Sequence, residues 1–274
     1  MRTLLPKAVL AAGALLGLAF SAAHAQDYPW KPNKPITLIV PWGAGGATDQ
    51  VSRLTAAILE DELKQRVVVV NQPGASGALG KKNAWEAARD GYTAGAGSSG
   101  HAAAEALKGV VGGNYRHITY DGGNPAVVAT VAGEAQATTQ LASEQAEMVR
   151  GKRLRPLAVL SDQALEIEGY GRIPPVTEFI QGKLPVLATT FGIFLPKQGT
   201  PPEVVETLNR IWATKIANNA RLKAYALEKG AQFTPGSGQA ARDKAWPEIQ
   251  ADAWSFHAAG RTKMSPDELK IPKP

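Results

Sequence analysis

The sequence predicts an α/β protein built on a parallel sheet with helices packed against its faces. Three observations carry that prediction: short β-branched apolar runs, helical stretches that alternate with them, and glycine-rich turns where a run gives way to a helix. Ile36-Thr37-Leu38-Ile39-Val40 reads as the first buried strand. It ends in Pro41-Trp42-Gly43-Ala44-Gly45-Gly46-Ala47-Thr48-Asp49, and a helix follows with apolar residues at Val51, Leu54, Ile58 and Leu59. Thr48 or Asp49 is its natural N-cap, because a short side-chain oxygen satisfies one of the free N–H groups of the first turn. Val67 to Val70 is the second strand, and Asn71-Gln72-Pro73-Gly74 is turn chemistry. A helix over 78–89 then leads through Asp90-Gly91-Tyr92-Thr93 to a small-residue strand, 94–97.

The alternation continues along the chain. A helix is expected over 101–108, a strand over 116–120, a helix over 125–132, a strand over 135–140, a helix over 143–150 and a strand over 154–160. A loop-rich stretch with Gly169, Gly171, Pro174 and Pro175 precedes a strand at 191–195. From Pro201 the chain reads as nearly all helix: 202–216 with proline in the first turn, 220–229, and 239–259, where Pro247 should kink or divide the element. The last ten residues read as a strap on the surface.

Composition narrows the function. The chain has 274 residues, 30 Lys+Arg against 24 Asp+Glu, a hydrophobic fraction of 44% and no cysteine. That excludes a disordered or disulfide-stapled protein, thiolate catalysis and cysteine-ligated metal. Arg2 and Lys7, the apolar stretch 8–20 and Ala23-His24-Ala25 together read as a secretory signal cleaved after Ala25. Thirteen apolar residues fall short of the roughly 20 needed to span a bilayer. The expectation is a soluble protein outside the cytoplasm that needs no cofactor; it should bind no nucleic acid, since no basic stripe with interleaved aromatics is present.

Three loops could carry chemistry. In the first, Ala44, Gly45, Gly46, Ala47, Thr48 and Asp49 place bare N–H groups and the positive end of a helix dipole at one point, a receptor for a carboxylate or phosphate. The plainer alternative is a tight turn whose glycines serve only packing. The second, Gly95-Ala96-Gly97-Ser98-Ser99-Gly100, has the spacing of a dinucleotide fingerprint with Asp121 about 20 positions on. An exported NAD(P)-dependent oxidoreductase therefore stands as an alternative, beside an anion-binding turn flanked by Ser98, Ser99 and His101. The third, Tyr120-Asp121-Gly122-Gly123-Asn124-Pro125, again opens a helix, with Asn124 suited to the N-cap and Pro125 to the first turn. Several such loops with no nucleophile and base beside them suit binding better than catalysis, so no enzymatic activity is expected.

The ordered set Val40 to Asp49, Val70-Asn71-Gln72-Pro73-Gly74-Ala75, Asp90-Gly91-Tyr92-Thr93, Tyr120 to Ala126, Gly151 to Arg155 with Leu157-Ala158-Val159, Pro174-Pro175-Val176 and Pro201 to Leu208 resembles one family over almost the whole chain. It is the tripartite tricarboxylate transporter solute-receptor family, the Bug receptors. The resemblance implies a two-lobed periplasmic binding-protein fold of type II, with lobe 1 from 26–93 and 190–274 and lobe 2 from 94–189. It also implies a monomer that holds a small organic acid, a di- or tricarboxylate or similar, in the cleft between lobes and passes it to integral-membrane permease subunits. Carried onto this sequence, the ligand-binding residues would be 44–49 from the first loop, Ser98, Ser99 and His101, and Tyr120, Gly122, Gly123 and Asn124 from the third. In one respect the chain departs from the family pattern. Tyr92-Thr93 runs directly into Ala94-Gly95-Ala96-Gly97, so several tens of residues are missing and lobe 2 is shortened, which admits a third reading, a non-binding remnant of the receptor fold.

Overall fold

The computed structural model describes residues 27–74, 77–97, 107, 110–112, 115, 116, 118, 120–180, 191–195, 199–258, 260, 262 and 264–273. The signal segment, Ser98, Ser99, Gly100, His101 and most of the helix expected over 101–108 lie outside the described residues.

A four-stranded sheet forms the larger body. Strand β1 (Ile36–Val40) leads into α1 (Ala47–Leu63), β2 (Val67–Asn71), α2 (Ala78–Glu86) and β3 (Thr93–Gly97). The strands lie in the order β2-β1-β3-β6, with β2, β1 and β3 parallel and β6 (Gly192–Phe194) antiparallel to β3. The register pairs Ile36 with Val67 and Leu38 with Ala94, so the β-branched run is central and buried as its uniform apolarity requires. Leu38 and Val40 pack with Leu59 of α1 and with Val204 and Ile211 of α5 (Pro202–Ile211).

The chain's early and late segments meet in this same core. Trp30 N–H donates to the buried Thr207 hydroxyl at 2.9 Å, and Tyr28 OH donates to Glu62 at 2.8 Å. After α5 the chain makes one π turn (Trp212–Ile216), then α6 (Ala220–Glu228) and α7 (Gly238–Ala258). Pro247 lies inside α7 without dividing it. The last residues do form a strap: Trp254 Nε1 donates to the carbonyls of Ile271 and Pro272 at 3.2 and 3.0 Å.

A smaller body stands beside it. Helices α3 (Gly123–Val131) and α4 (Ala142–Arg150) and the hairpin β4 (Leu165–Ile167) and β5 (Gly171–Ile173) gather around Ala146, Val149, Ile167 and Ile173. Here the sequence expectation needs correcting. The described residues of 116–120 form no strand, 135–140 is bends and coil, and 154–160 contributes a single bridge between Val159 and Pro175. Ala135-Gln136-Ala137-Thr138-Thr139-Gln140 has little apolar surface to bury. Pro156 removes a ladder donor from the third run, and Leu157 points outward at 72% exposure. Conversely the stretch expected to be loop contains the β4–β5 hairpin, closed by a turn with Gly169 at φ 79°.

Candidate functional site

Where β1 stops, Pro41 to Gly46 turn the chain into α1, whose N-cap is Gly46 and not Thr48 or Asp49. Asp49 serves the turn in another way. Its buried carboxylate accepts from Gly45 N–H at 2.8 Å, from Asn71 Nδ2 at 2.9 Å and from Arg53 at 2.9 and 3.0 Å. Burial pushes this carboxyl up, but the hydrogen bonds from Arg53, Gly45 and Asn71 outweigh it and hold Asp49 below the ordinary carboxylate value. Asn71, at the end of β2, also donates to the Trp42 carbonyl at 3.0 Å. Loop, helix start and strand end are thereby tied into one rigid unit.

The third loop meets this unit face to face. Gly122 adopts φ 131°, a conformation open to glycine, and caps α3. The cap falls two residues before Asn124, which is free to cross to the first loop, where its Nδ2 donates to the Gly45 carbonyl at 2.7 Å. A Cβ placed on Gly43 would lie 3.1 Å from the Asp121 carbonyl, so the two backbones approach closely.

Between the two helix starts sits a side chain that the sequence did not mark. Glu144, in the first turn of α4, accepts from the Ala47 N–H at 3.3 Å. Its carboxyl also lies against Gly123 so tightly that any Cβ there would fall inside it. Burial pushes Glu144 up, against the smaller lowering effect of the Ala47 and Leu141 backbone groups. Trp42, Gly43, Ala44, Gly46, Thr48, Asp121, Gly122, Gly123, Asn124, Pro125 and Glu144 line the cleft that remains. At about 30 Å³ it has room for little more than a water. A larger groove of about 610 Å³ runs along α5 past Val205, Glu206, Asn209 and Arg210, and none of the glycine-loop residues lines it.

Of the residues expected at the site, Ala44, Gly46, Thr48, Gly122, Gly123 and Asn124 line the cleft, Ala47 points its N–H into it, and Gly45 bridges to Asn124. Asp49 lies behind the loop as its brace. Tyr120 turns away toward Glu134, with its hydroxyl 3.4 Å from the carboxylate. Ser98, Ser99 and His101 lie outside the described residues. Trp42, Gly43, Asp121, Pro125 and Glu144 were not among the expected binding residues. The Trp42 indole packs on Gly77, and its nitrogen is buried with no hydrogen-bond partner among the described residues. An acid in a helix's first turn ordinarily reads as dipole chemistry on the surface, so nothing local flagged Glu144. The dinucleotide alternative loses its geometry: Gly95 and Gly97 are paired within β3 on the sheet, not in the turn where that fingerprint needs its first glycine.

Among the described residues no helix is long and apolar enough to cross a membrane, and no cluster of three His, Asp or Glu could hold a metal ion. Sheet order and the two bodies match the fold of periplasmic binding proteins, as solved structures show. A Rhodopseudomonas palustris protein described as MatC with bound malate superposes with a TM-score of 0.69 at 18% identity, covering 82% of this chain and 98% of that one. An R. palustris protein with adipate gives 0.69 at 21% identity, covering 84% and 98%. The family model for the tripartite tricarboxylate transporter family receptor matches residues 93–242, and the chain belongs to that family. A Pseudomonas sp. (strain P51) relative, a UPF0065 protein in the tcbD-tcbE intergenic region, is 26% identical over 269 residues, which take in 72% of this chain and 78% of the relative. Since 72% of 274 residues falls well short of 269, several tens of positions of that relative face a gap in this chain.

Proposed function

We propose that this protein captures a small organic acid in the cleft between the Gly43–Ala47 and Gly122–Asn124 loops and delivers it to the permease subunits of a tripartite transporter. The observation that supports this most is the convergence of two glycine-rich helix starts on one point with a carboxylate, that of Glu144, already lying between them. Backbone N–H groups and the Thr48 hydroxyl suit an anion, and among the described residues no reacting pair of nucleophile and base lines the cleft. The ligands named in the two R. palustris structures, adipate and malate, are dicarboxylates, and this is the ligand class we assign. The division into lobe 1 (26–93 and 190–274) and lobe 2 (94–189), export by a signal cleaved after Ala25, residence in the periplasm and action as a monomer belong to the same proposal. So does the placing of the missing segment after Thr93. Ser98, Ser99 and His101 complete the ligand shell in this reading.

The test is a thermal-shift titration of the purified protein with malate and adipate, with NAD and NADP as controls. Ligand at 100 times its Kd adds about 2.7 kcal/mol of stability, several degrees of Tm for a chain this size. A second reading, a remnant that no longer binds, is favoured by the small cleft and by the two-stranded sheet that the described residues of the smaller body form. A cooperative melt that no carboxylate shifts would select it.

A further inference from the structure

We infer that Glu144 is a built-in competitor: its carboxylate holds the position between the two helix starts that an external carboxylate needs, and it has to withdraw before one can bind. This rests on the carboxylate-receptor reading above and adds to it a residue that sets when the site is open. Four observations carry it. The Glu144 carboxyl accepts from the Ala47 N–H, at the positive end of the α1 dipole, as a ligand carboxylate would. It presses onto the bare Cα of Gly123 at the start of α3, so one side chain spans both loops. It is largely buried and none of the groups that shift it is a cation. Finally, the space left over is about 30 Å³, too small for a malate until this side chain leaves.

The energetics favour exchange over permanent occupancy. A largely buried carboxylate held by backbone groups alone, with no cation paired to it, recovers little of its desolvation cost, so the resident acid is held weakly. An incoming carboxylate would replace it charge for charge, while Glu144 gains water. Asp121, Thr48 and Asn124 from the two loops line the same cleft, Tyr225 from α6 feels the Glu144 charge, and Lys229, the cation beside Tyr225, is paired with Glu147 and Glu228.

The proposal has a specific signature. Beyond Cβ, the glutamate side chain is an acetate in size and charge, so Glu144→Ala leaves an acetate-shaped hole facing the Ala47 N–H. Acetate should bind the Glu144→Ala protein saturably and raise its Tm, while the wild-type and Glu144→Gln proteins, whose holes are filled, should show no such response. Malate should bind Glu144→Ala about tenfold or more tighter than wild type, as expected when a site open a tenth of the time is left permanently open. Should Glu144→Ala fail to fold, Glu144→Ser still decides the matter, since it too empties the position beyond Cβ while keeping a small polar group, and malate affinity must rise. Malate binding that is unchanged or weakened in Glu144→Ala and Glu144→Ser overturns the competitor role while leaving the receptor reading intact. Failure of malate, adipate and acetate to bind any of these proteins overturns both.

Discussion

At the scale of single residues, two carboxylates that both accept from the first glycine-rich loop have opposite fates. Asp49 is buried but surrounded by donors, and it keeps its charge. Asp49→Ala should cost about 2–3 kcal/mol in urea unfolding, the range for a charged hydrogen-bonded group whose buried partners are left unpaired. Its native value lies below the ordinary 3.8, so this stabilisation is complete above that value and is lost as pH falls through the lowered one. Glu144 is raised above its ordinary 4.5, so the sign is reversed. The folded state holds its proton more tightly than the unfolded chain, and wild-type stability declines as pH rises through the raised value. Glu144→Gln should therefore be the more stable protein at pH 7, with an advantage that shrinks toward zero as pH is brought below 4.5; unfolding curves at several pH values would show it. Gly123→Ala offers a further check. Its Cβ would collide with the Glu144 carboxyl, and overpacking of this kind costs about 1–3 kcal/mol. In a Glu144→Ala background most of that penalty should vanish, and a double-mutant cycle measures the coupling.

At the scale of elements, the contact between α4 and α6 ties the small body to the large one. Lys229 pairs with Glu147 at 3.0 Å and with Glu228 at 2.9 Å, while Arg150 Nη1 donates to the Glu228 carbonyl at 2.9 Å. Glu147 is exposed, so the pair is screened, and Lys229→Ala is expected to lose about 0.5–1 kcal/mol, less in high salt. The elements also show which predictions from sequence can be trusted. The path from β1 through its glycine turn, α1 and β2 was legible to within a residue or two because each step rests on local chemistry: a β-branched run, glycine where backbones approach, then a 3.6-residue apolar period. The strands expected at 135–140 and 154–160 did not form, and the described residues of 116–120 form none, because a strand is completed only by a neighbour. Alternation along the chain says nothing about whether a partner edge exists. The hairpin at 165–173 was missed for the converse reason: three-residue strands are too short to show a period.

At the scale of the whole molecule, stability is divided unequally. The core around Leu38, Val40, Val204 and Ile211 takes in four strands and several helices, whereas the second core rests on Ala146, Val149, Ile167 and Ile173. Val128, Leu157 and Phe179 of the smaller body remain more than half exposed. Native-state hydrogen exchange should therefore find the amides of α4, β4 and β5 opening well before those of β1 and α1. Equal protection in the two bodies would show that they unfold as one unit. The sequence by itself determined the parallel β1, β2 and β3 and the glycine-rich turn from β1 into α1, because hydrophobic period and glycine act within a few residues of one another. Only the tertiary structure decided that Asp49 braces the loop, that Tyr120 faces away and that Glu144 closes the cleft. Each of these depends on where a distant stretch of backbone comes to rest, and the donors that pair or strand a buried carboxylate are supplied from elsewhere in the chain.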